Sequence, residues 1–435
     1  MYVPGWRKWL AWDGRRWSDD SGTGVQQLAK AYAKSLWSEL GEIAKHVDRN
    51  ALGRVQTFIR KTNERKSIRD FISLAATDKR VVCHVKDLNA NPSFLNCPNG
   101  TIDLETGQLL SHDPAHRITQ LAPVSYDPQA ACTEWLDTLK LIFDGDARLI
   151  RYLQQLLGYS ISGTAGEHIL PIAYGSGFNG KSTIWNATVS ILGDYAVLAD
   201  EELLLGERTN HPTGKALLYQ KRFVPLSEPE KNANLREARL KELTGDRVIT
   251  ARRMKEDFWS FQRTHTFWLA TNHLPRINGS DNGIWRRIKV IPFIVDLRTK
   301  VTPVVDFDQR LVAKEGAGIL AWLVRGLADW QQNGFVEPPK VTSATREYRE
   351  RSGTLSDFLK ECCDVQTNAM VGATELFIAY QANGGTLTST AFGRALSERF
   401  EKEKYKHGVH RDKVFYRGLR LKHSAARIDP NRPRQ

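Results

Sequence analysis

An apolar run that enters a glycine-rich turn constrains this chain more than any other stretch: residues 169–183 read ILPIAYGSGFNGKST. The pattern is that of a strand running into Gly175-x4-Gly180-Lys181-Ser182, with apolar residues at helical spacing behind it through residue 192. Such a turn points backbone N–H groups at a polyphosphate, and the helix that follows adds its positive end. The nucleotide-binding residues read from the sequence are therefore Gly175, Ser176, Gly177, Phe178, Asn179, Gly180, Lys181, Ser182 and Thr183. Lys181 supplies a point charge for the phosphates of ATP, and Ser182 supplies a hydroxyl for Mg2+.

At 435 residues the chain exceeds one ordinary core and suggests two or three domains. Its 62 basic residues outnumber 49 acidic ones, and a formal charge of +13 favours a polyanionic partner, nucleic acid first. The five cysteines contain no CxxC pair, which fits a reducing compartment. His112 and His116 are separated by Pro114 and do not share a helix face, so no metal site is read there. Tryptophans near the start are mixed with charges, and no apolar run has membrane-spanning length. The expectation is a soluble protein of the bacterial host cytoplasm.

Periodicity predicts amphipathic helices over 25–43 and 55–75, with residues 18–20 capping the first, then short hairpins between 94 and 126 and a helix over 134–157. Four apolar runs, 169–174, 222–227, 265–271 and 288–293, alternate with helical or loop segments, which indicates an α/β core with a largely parallel sheet. A helix over 308–332 follows, and residues 334–340 (GFVEPPK) break it. Beyond lie three short helices, 355–363, 373–381 and 389–400, and a strand over 414–421, the order of a winged helix. Arg394, Arg399, Lys402, Lys404, Lys406, Arg411, Lys413, Arg417 and Arg420 concentrate charge in its third helix and wing, as phosphate contacts require. The expected domains are 1–135 (mixed, mainly helical), 136–338 (ATPase), 350–424 (winged helix) and a basic tail over 425–435.

Hydrolysis of a held nucleotide needs acidic and polar companions from other strands. The second apolar run ends in Glu228 and Glu230, either able to hold magnesium or to take a proton from water, with Glu228 preferred. The third ends in Asn272, a neutral amide able to orient water at the γ-phosphate. Arg286 and Arg287 just precede the fourth, either as a basic edge or as a finger reaching a neighbouring subunit's γ-phosphate. Between the second and third runs, Arg252, Arg253 and Lys255 stand near the tip of an expected hairpin with aromatics on its return arm, suited to gripping a nucleic-acid backbone.

In this order the motifs resemble the superfamily III helicase module of phage and plasmid primase-helicases, related to those of poxviruses. The likeness is carried by residues 99–107 (NGTIDLETG), 157–159 (LGY), 175–183 (GSGFNGKST), 227–230 (SEPE), 243–245 (LTG), 271–275 (TNHLP) and 284–287 (IWRR). It implies an ATPase core of the AAA+ type and a ring, usually hexameric, that moves along one DNA strand. It further implies Lys181 and Ser182 at phosphate and magnesium, Glu228 at the acidic site, Asn272 as the γ-phosphate sensor, Lys255 on DNA, and Arg286 or Arg287 as a finger acting across subunits. Relatives often carry a primase upstream; with fewer than about two hundred residues before the loop, no primer synthesis is expected of this chain alone.

The leading expectation is an ATP-driven helicase for replication of a phage, plasmid or other mobile element, with single-stranded DNA in a channel, duplex at the winged helix and a separate primase or polymerase as partner. An origin-binding or assembly ATPase that loads partners without unwinding is the alternative. A small-molecule phosphotransferase is disfavoured by the basic C-terminal module.

Overall fold

The computed structural model describes residues 1–205, 213–231, 233–253, 257–277, 282–302, 304–383, 385, 387–404 and 414–422. Lys255, Lys406, Arg411, Lys413 and the 425–435 tail lie outside the described residues. The chain divides into two compact units, Met1–Tyr126 and Asp127–Gln435.

In the first unit, β1 (Tyr2–Val3), β2 (Lys8–Trp12) and β3 (Trp17–Asp19) form an antiparallel sheet in that order. Paired rings, Tyr2 on Trp9 at 5.2 Å and Trp12 on Trp17 at 5.8 Å, explain the early aromatics. Helix α1 (Thr23–Ile43) follows, and Asp20 Oδ2 accepts from the Val25 N–H at 2.8 Å, as its acidic position before the helix suggests. The second expected helix is two: α2 (Arg49–Thr62) and α3 (Arg65–Ala75). Asn63 makes the break, its Nδ2 donating at 2.9 Å both to Ile59 O and to Ala33 O of α1. A meander of β4 (Phe94–Cys97), β5 (Gly100–Asp103) and β6 (Gln108–Leu110) completes this unit.

The second unit opens with α4 (Thr133–Ile142) and α5 (Ala147–Ile161), where periodicity alone predicts one helix. Asp144 (φ 52°) and Gly145 (φ 74°) turn the chain between them, and Asp146 caps α5 through the Arg148 and Leu149 N–H groups. Four strands then form one parallel sheet: β7 (Leu170–Tyr174), β8 (Phe223–Leu226), β11 (Thr266–Thr271) and β12 (Ile288–Pro292), in spatial order β12-β7-β11-β8. Its connections carry α6 (Lys181–Leu192), α7 (Thr213–Ala216), α8 (Glu237–Gly245), the antiparallel hairpin β9 (Val248–Arg252) and β10 (Phe258–Gln262), and α9 (Asn282–Trp285). The chain is thus mixed α/β with a parallel sheet. Pro225 is tolerated because β8 is the outermost ladder strand; on its free side, among the described residues, isolated bridges from residues 196–199 reach it.

Both faces of the sheet are covered, as parallel sheets require. Leu170, Ile172, Val224, Phe267, Leu269, Ile288 and Val290 meet α8 and the hairpin on one face. On the other, Trp268 packs edge-on against Trp185 of α6 at 5.1 Å and donates from Nε1 to Ser160 Oγ of α5 at 2.9 Å. Helix α10 (Phe307–Asn333) crosses α5 backbone to backbone: a Cβ on Gly158 would lie 2.2 Å from Leu327 N, and one on Gly326 2.2 Å from Gln154 O.

Helix α11 (Pro339–Cys362) runs unbroken through residues 340–350, between the two expected domains. Tyr348 belongs to the sheet's core, while Leu355 and Phe358 belong to a second core of α12 (Ala373–Ala382), α13 (Ser389–Ser397), β13 (Cys363–Gly372), β14 (Lys402–Lys404) and β15 (Val414–Leu421). These strands pair antiparallel in the order β13-β15-β14. The sequence pattern predicts only β15 among them. All five cysteines are free and buried, and among the described residues no helix is long and apolar enough to cross a membrane.

Candidate functional site

The glycine-rich loop leaves the C-terminal end of β7 and is held between its two neighbours. Gly175 N donates to Thr271 O of β11 at 3.2 Å, and Phe293 N, just beyond β12, donates to Tyr174 O at 2.7 Å. A Cβ on Gly175 would stand 2.0 Å from Phe293 O, so only bare backbone fits that wall. Asn179 is buried, and its Nδ2 donates to Phe293 O at 3.0 Å and to Ser176 O, closing the loop on itself. Gly180 (φ 84°) then starts α6, with Lys181 and Ser182 in the first turn, where N–H groups have no acceptor inside the helix.

Lys181 is the centre of the site. Although only 8% exposed, its Nζ donates to Gly175 O at 2.6 Å, Asn179 Oδ1 at 3.1 Å, Asn272 Oδ1 at 3.1 Å and Ser176 O at 3.3 Å. Burial lowers the lysine pKa below its ordinary value, and the charge of Glu228 opposes that shift. Ser182 is exposed at the mouth and Thr183 half-buried behind it. A backbone-lined wall, a buried ammonium, an exposed hydroxyl and a carboxylate within electrostatic reach fit a polyphosphate with a divalent cation.

The sequence-derived companions separate into two sets. Asn272 follows β11, directly beside β7, and reaches Lys181. Glu228 follows β8, which lies one strand further out than a strand beside the loop; it is exposed, as is Glu230, and the intervening Pro229 is buried. Ser227 fixes that turn by bonding to Glu201. All of these residues lie at the C-terminal edge of the sheet.

Arg286 and Arg287 do not. They precede β12, whose Ile288 pairs with Leu170 at the start of β7, so the full length of β7, roughly 13 Å, separates them from the loop of their own chain. Arg287 is held locally, Nε to Thr244 Oγ1 at 3.2 Å and Nη1 to Gly283 O at 2.5 Å, whereas Arg286 is exposed. The hairpin also stands apart from the loop. Ile249, Ala251 and Phe261 face the core; Arg252 lies over the Phe258 ring at 5.5 Å and Arg253 over Trp259 at 5.2 Å, both next to the tip.

One part of the site escapes sequence reading. An open groove of about 710 Å³ adjoins the loop, lined by Thr138, Leu141, Ile142, Phe178, Thr183 and Leu297, among others. Its wall comes from α4 and from residues 297–307, far apart in sequence. The available signal is the solvent-exposed apolar set of Leu141, Phe178, Val301 and Val304.

Residues 1–144 match the family model described as D5 N terminal like, and residues 173–287 match a family of unknown function, DUF5906. A protein of Acanthamoeba polyphaga mimivirus, named as a candidate helicase, is 26% identical over 296 residues, covering 63% of this chain and 31% of the relative. A protein of African swine fever virus (isolate Tick/Malawi/Lil 20-1/1983), named as a candidate primase, is 27% identical over 304 residues, covering 64% and 31%. The chain therefore spans about a third of the length of these curated relatives. Among solved structures, the apo C-terminal region of NrS-1 aligns with a TM-score of 0.39 at 14% identity, over 68% of this chain and 77% of that one. No residue correspondence follows at that level.

Proposed function

We propose, from the premise that this chain belongs to the phage and viral primase-helicase family, that it is an ATP-dependent DNA helicase working as a ring in the replication of a phage, plasmid or other mobile element. The carrying observation is the meeting of Lys181, at the head of α6, with Asn272, at the tip of the neighbouring parallel strand. A charge and a neutral amide converging at one point suit a terminal phosphate and the water that attacks it.

In this reading residues 175–183 hold the phosphates, and Ser182 and Glu228 hold Mg2+, which supplies charge neutralisation. The apolar groove beside Phe178 takes the base and sugar. Asn272 orients the water, and Glu228 receives its proton, with Glu230 as the second candidate. The sheet order β12-β7-β11-β8, with the loop strand inside and the acidic strand outside, supports a core of the AAA+ type. The topology of β13–β15 with α11–α13 supports a winged helix for duplex DNA.

Assembly is needed to complete the site. Arg286 is too far from its own loop and free of the bonds that tether Arg287, so Arg286 is the finger offered to the next subunit of a hexamer. Arg252, Arg253 and Lys255 would meet single-stranded DNA in the channel, and a separate primase or polymerase would act on the unwound strands.

The purified chain should hydrolyse ATP faster with single-stranded DNA present and should separate a tailed duplex. Lys181→Ala should lower turnover by at least about 10²-fold. An active Lys181→Ala protein would reject this site, and turnover without strand separation would favour an assembly ATPase.

A further inference from the structure

We propose that the cavity enclosed by the segment after β11, by α11 and by the end of α13 is a second anion site, which binds one phosphate of a DNA strand and reports its presence to Asn272. The inference rests on the helicase reading above and adds to it a DNA contact distant in sequence from the hairpin. The cavity holds about 40 Å³ and is lined by Tyr174, Arg276, Tyr348, Arg351, Glu398 and Arg399, among others. That is several times the ~10–15 Å³ one water needs, hence room for the oxygens of a phosphate group.

Three guanidinium groups from three separate elements converge there, with Glu398 in the lining and Glu347 paired to Arg351 at 3.4 Å on the flank of α11. The Arg276 Nε is buried and has no hydrogen-bond partner among the described residues. Burial, and then the neighbouring charge of Arg276, push the Arg399 guanidinium down to about 10. Like charges packed in a half-buried cavity are costly unless an anion joins them. Planar forks arriving from several directions suit the oxygens of a phosphate, and each such bond is charge-assisted. Arg394, exposed one turn earlier on α13, extends the positive surface outward.

The cavity is also wired to the nucleotide site. Asn272, Leu274, Pro275 and Arg276 form one short segment; Asn272 accepts from Lys181, Pro275 O accepts from the Tyr348 hydroxyl of α11, and Arg276 N donates to Ala233 O at 2.8 Å. An anion drawing Arg276 toward α11 and α13 therefore pulls on the residues that set Asn272. DNA occupancy would thus alter ATP turnover through a path of five residues.

The test measures binding of a fluorescein-labelled oligothymidylate to the full chain by anisotropy, across a potassium chloride series, for wild type, Arg276→Gln, Arg351→Gln and Arg351→Lys. Each glutamine variant should bind several-fold more weakly, with the slope of log affinity against log salt shallower by about 0.7, while Arg351→Lys keeps the wild-type slope. Both should also lose part of the stimulation of ATP turnover by the oligonucleotide. If Arg276→Gln melts far below wild type, Arg351→Gln, on the partly exposed flank of α11, decides alone. Wild-type slopes in the glutamine variants would overturn this site and leave the helicase reading standing. Unchanged slopes, with inorganic phosphate raising the melting temperature of wild type but not of the glutamine variants, would assign the cavity to free phosphate and overturn the DNA assignment. A wild-type chain that binds no oligonucleotide would fail the helicase reading itself, and this site with it.

Discussion

His265 is a residue whose surroundings decide its chemistry outright. It is 1% exposed, stands edge-on to Phe267 at 4.6 Å, and neither ring nitrogen has a hydrogen-bond partner among the described residues. Burial, reinforced by the charge of Arg263, pushes its pKa down to about 3. A base whose folded pKa lies below its unfolded value binds protons preferentially in the unfolded chain, so stability is present above about 6.5 and drains away as pH falls toward 3. His265→Phe should flatten this acid sensitivity by about 1.4 kcal/mol per pH unit in that window, read by urea unfolding at a series of pH values. An unchanged pH profile would show that other groups govern acid unfolding. The glycine-rich loop behaves differently at this scale. Its sharp turn was legible because its glycines and Lys181 fall within one short run, whereas the bond from Lys181 to Asn272 joins positions 91 apart and could only be anticipated through the expected sheet.

At the scale of elements, the four parallel strands were legible because each is a short apolar run bounded by breakers, while β13 was not. Its residues Asp364 to Ala369 are mostly exposed and carry no alternation, since its pairing with β15 shifts register between Val365 and Met370. Helix breaks are equally silent when the residues on both sides keep helical spacing. Asn63 ends α2 through a bond to Ala33 in another helix, which no local pattern encodes. Asn63→Ala should cost about 1–2 kcal/mol by removing both bonds, measurable as a lower melting temperature of the full chain. The β9–β10 hairpin was visible in advance, and the functional prediction falls on Lys255, between its two strands in sequence and outside the described residues. Lys255→Ala should abolish strand separation while leaving ATP turnover without DNA within about twofold of wild type; loss of both together would make Lys255 a structural residue.

For the whole molecule, the decisive geometry is that Lys181 and Asn272 lie at one edge of the sheet and Arg286 at the other. Sequence spacing places an arginine before a strand but cannot say which edge it will occupy until the strands are known to be parallel. In the reading proposed above, Arg286 so placed acts on the loop of another subunit and not on that of its own chain. Mixing Arg286→Ala subunits with Lys181→Ala subunits should restore part of the ATP turnover that each lacks alone, because some interfaces then combine an intact loop with an intact finger. Failure at every mixing ratio, in rings shown to contain both subunits, would remove Arg286 from the reaction.

Helix α11 belongs to two cores at once, with Tyr348 seated beneath the parallel sheet and Leu355 and Phe358 seated under α12 and α13. A recombination crossover inside this rod would leave each product with half of a two-sided fit. The parallel-sheet part and the basic module beyond it should therefore be inherited together as a single cassette, with no viable exchange point along the rod.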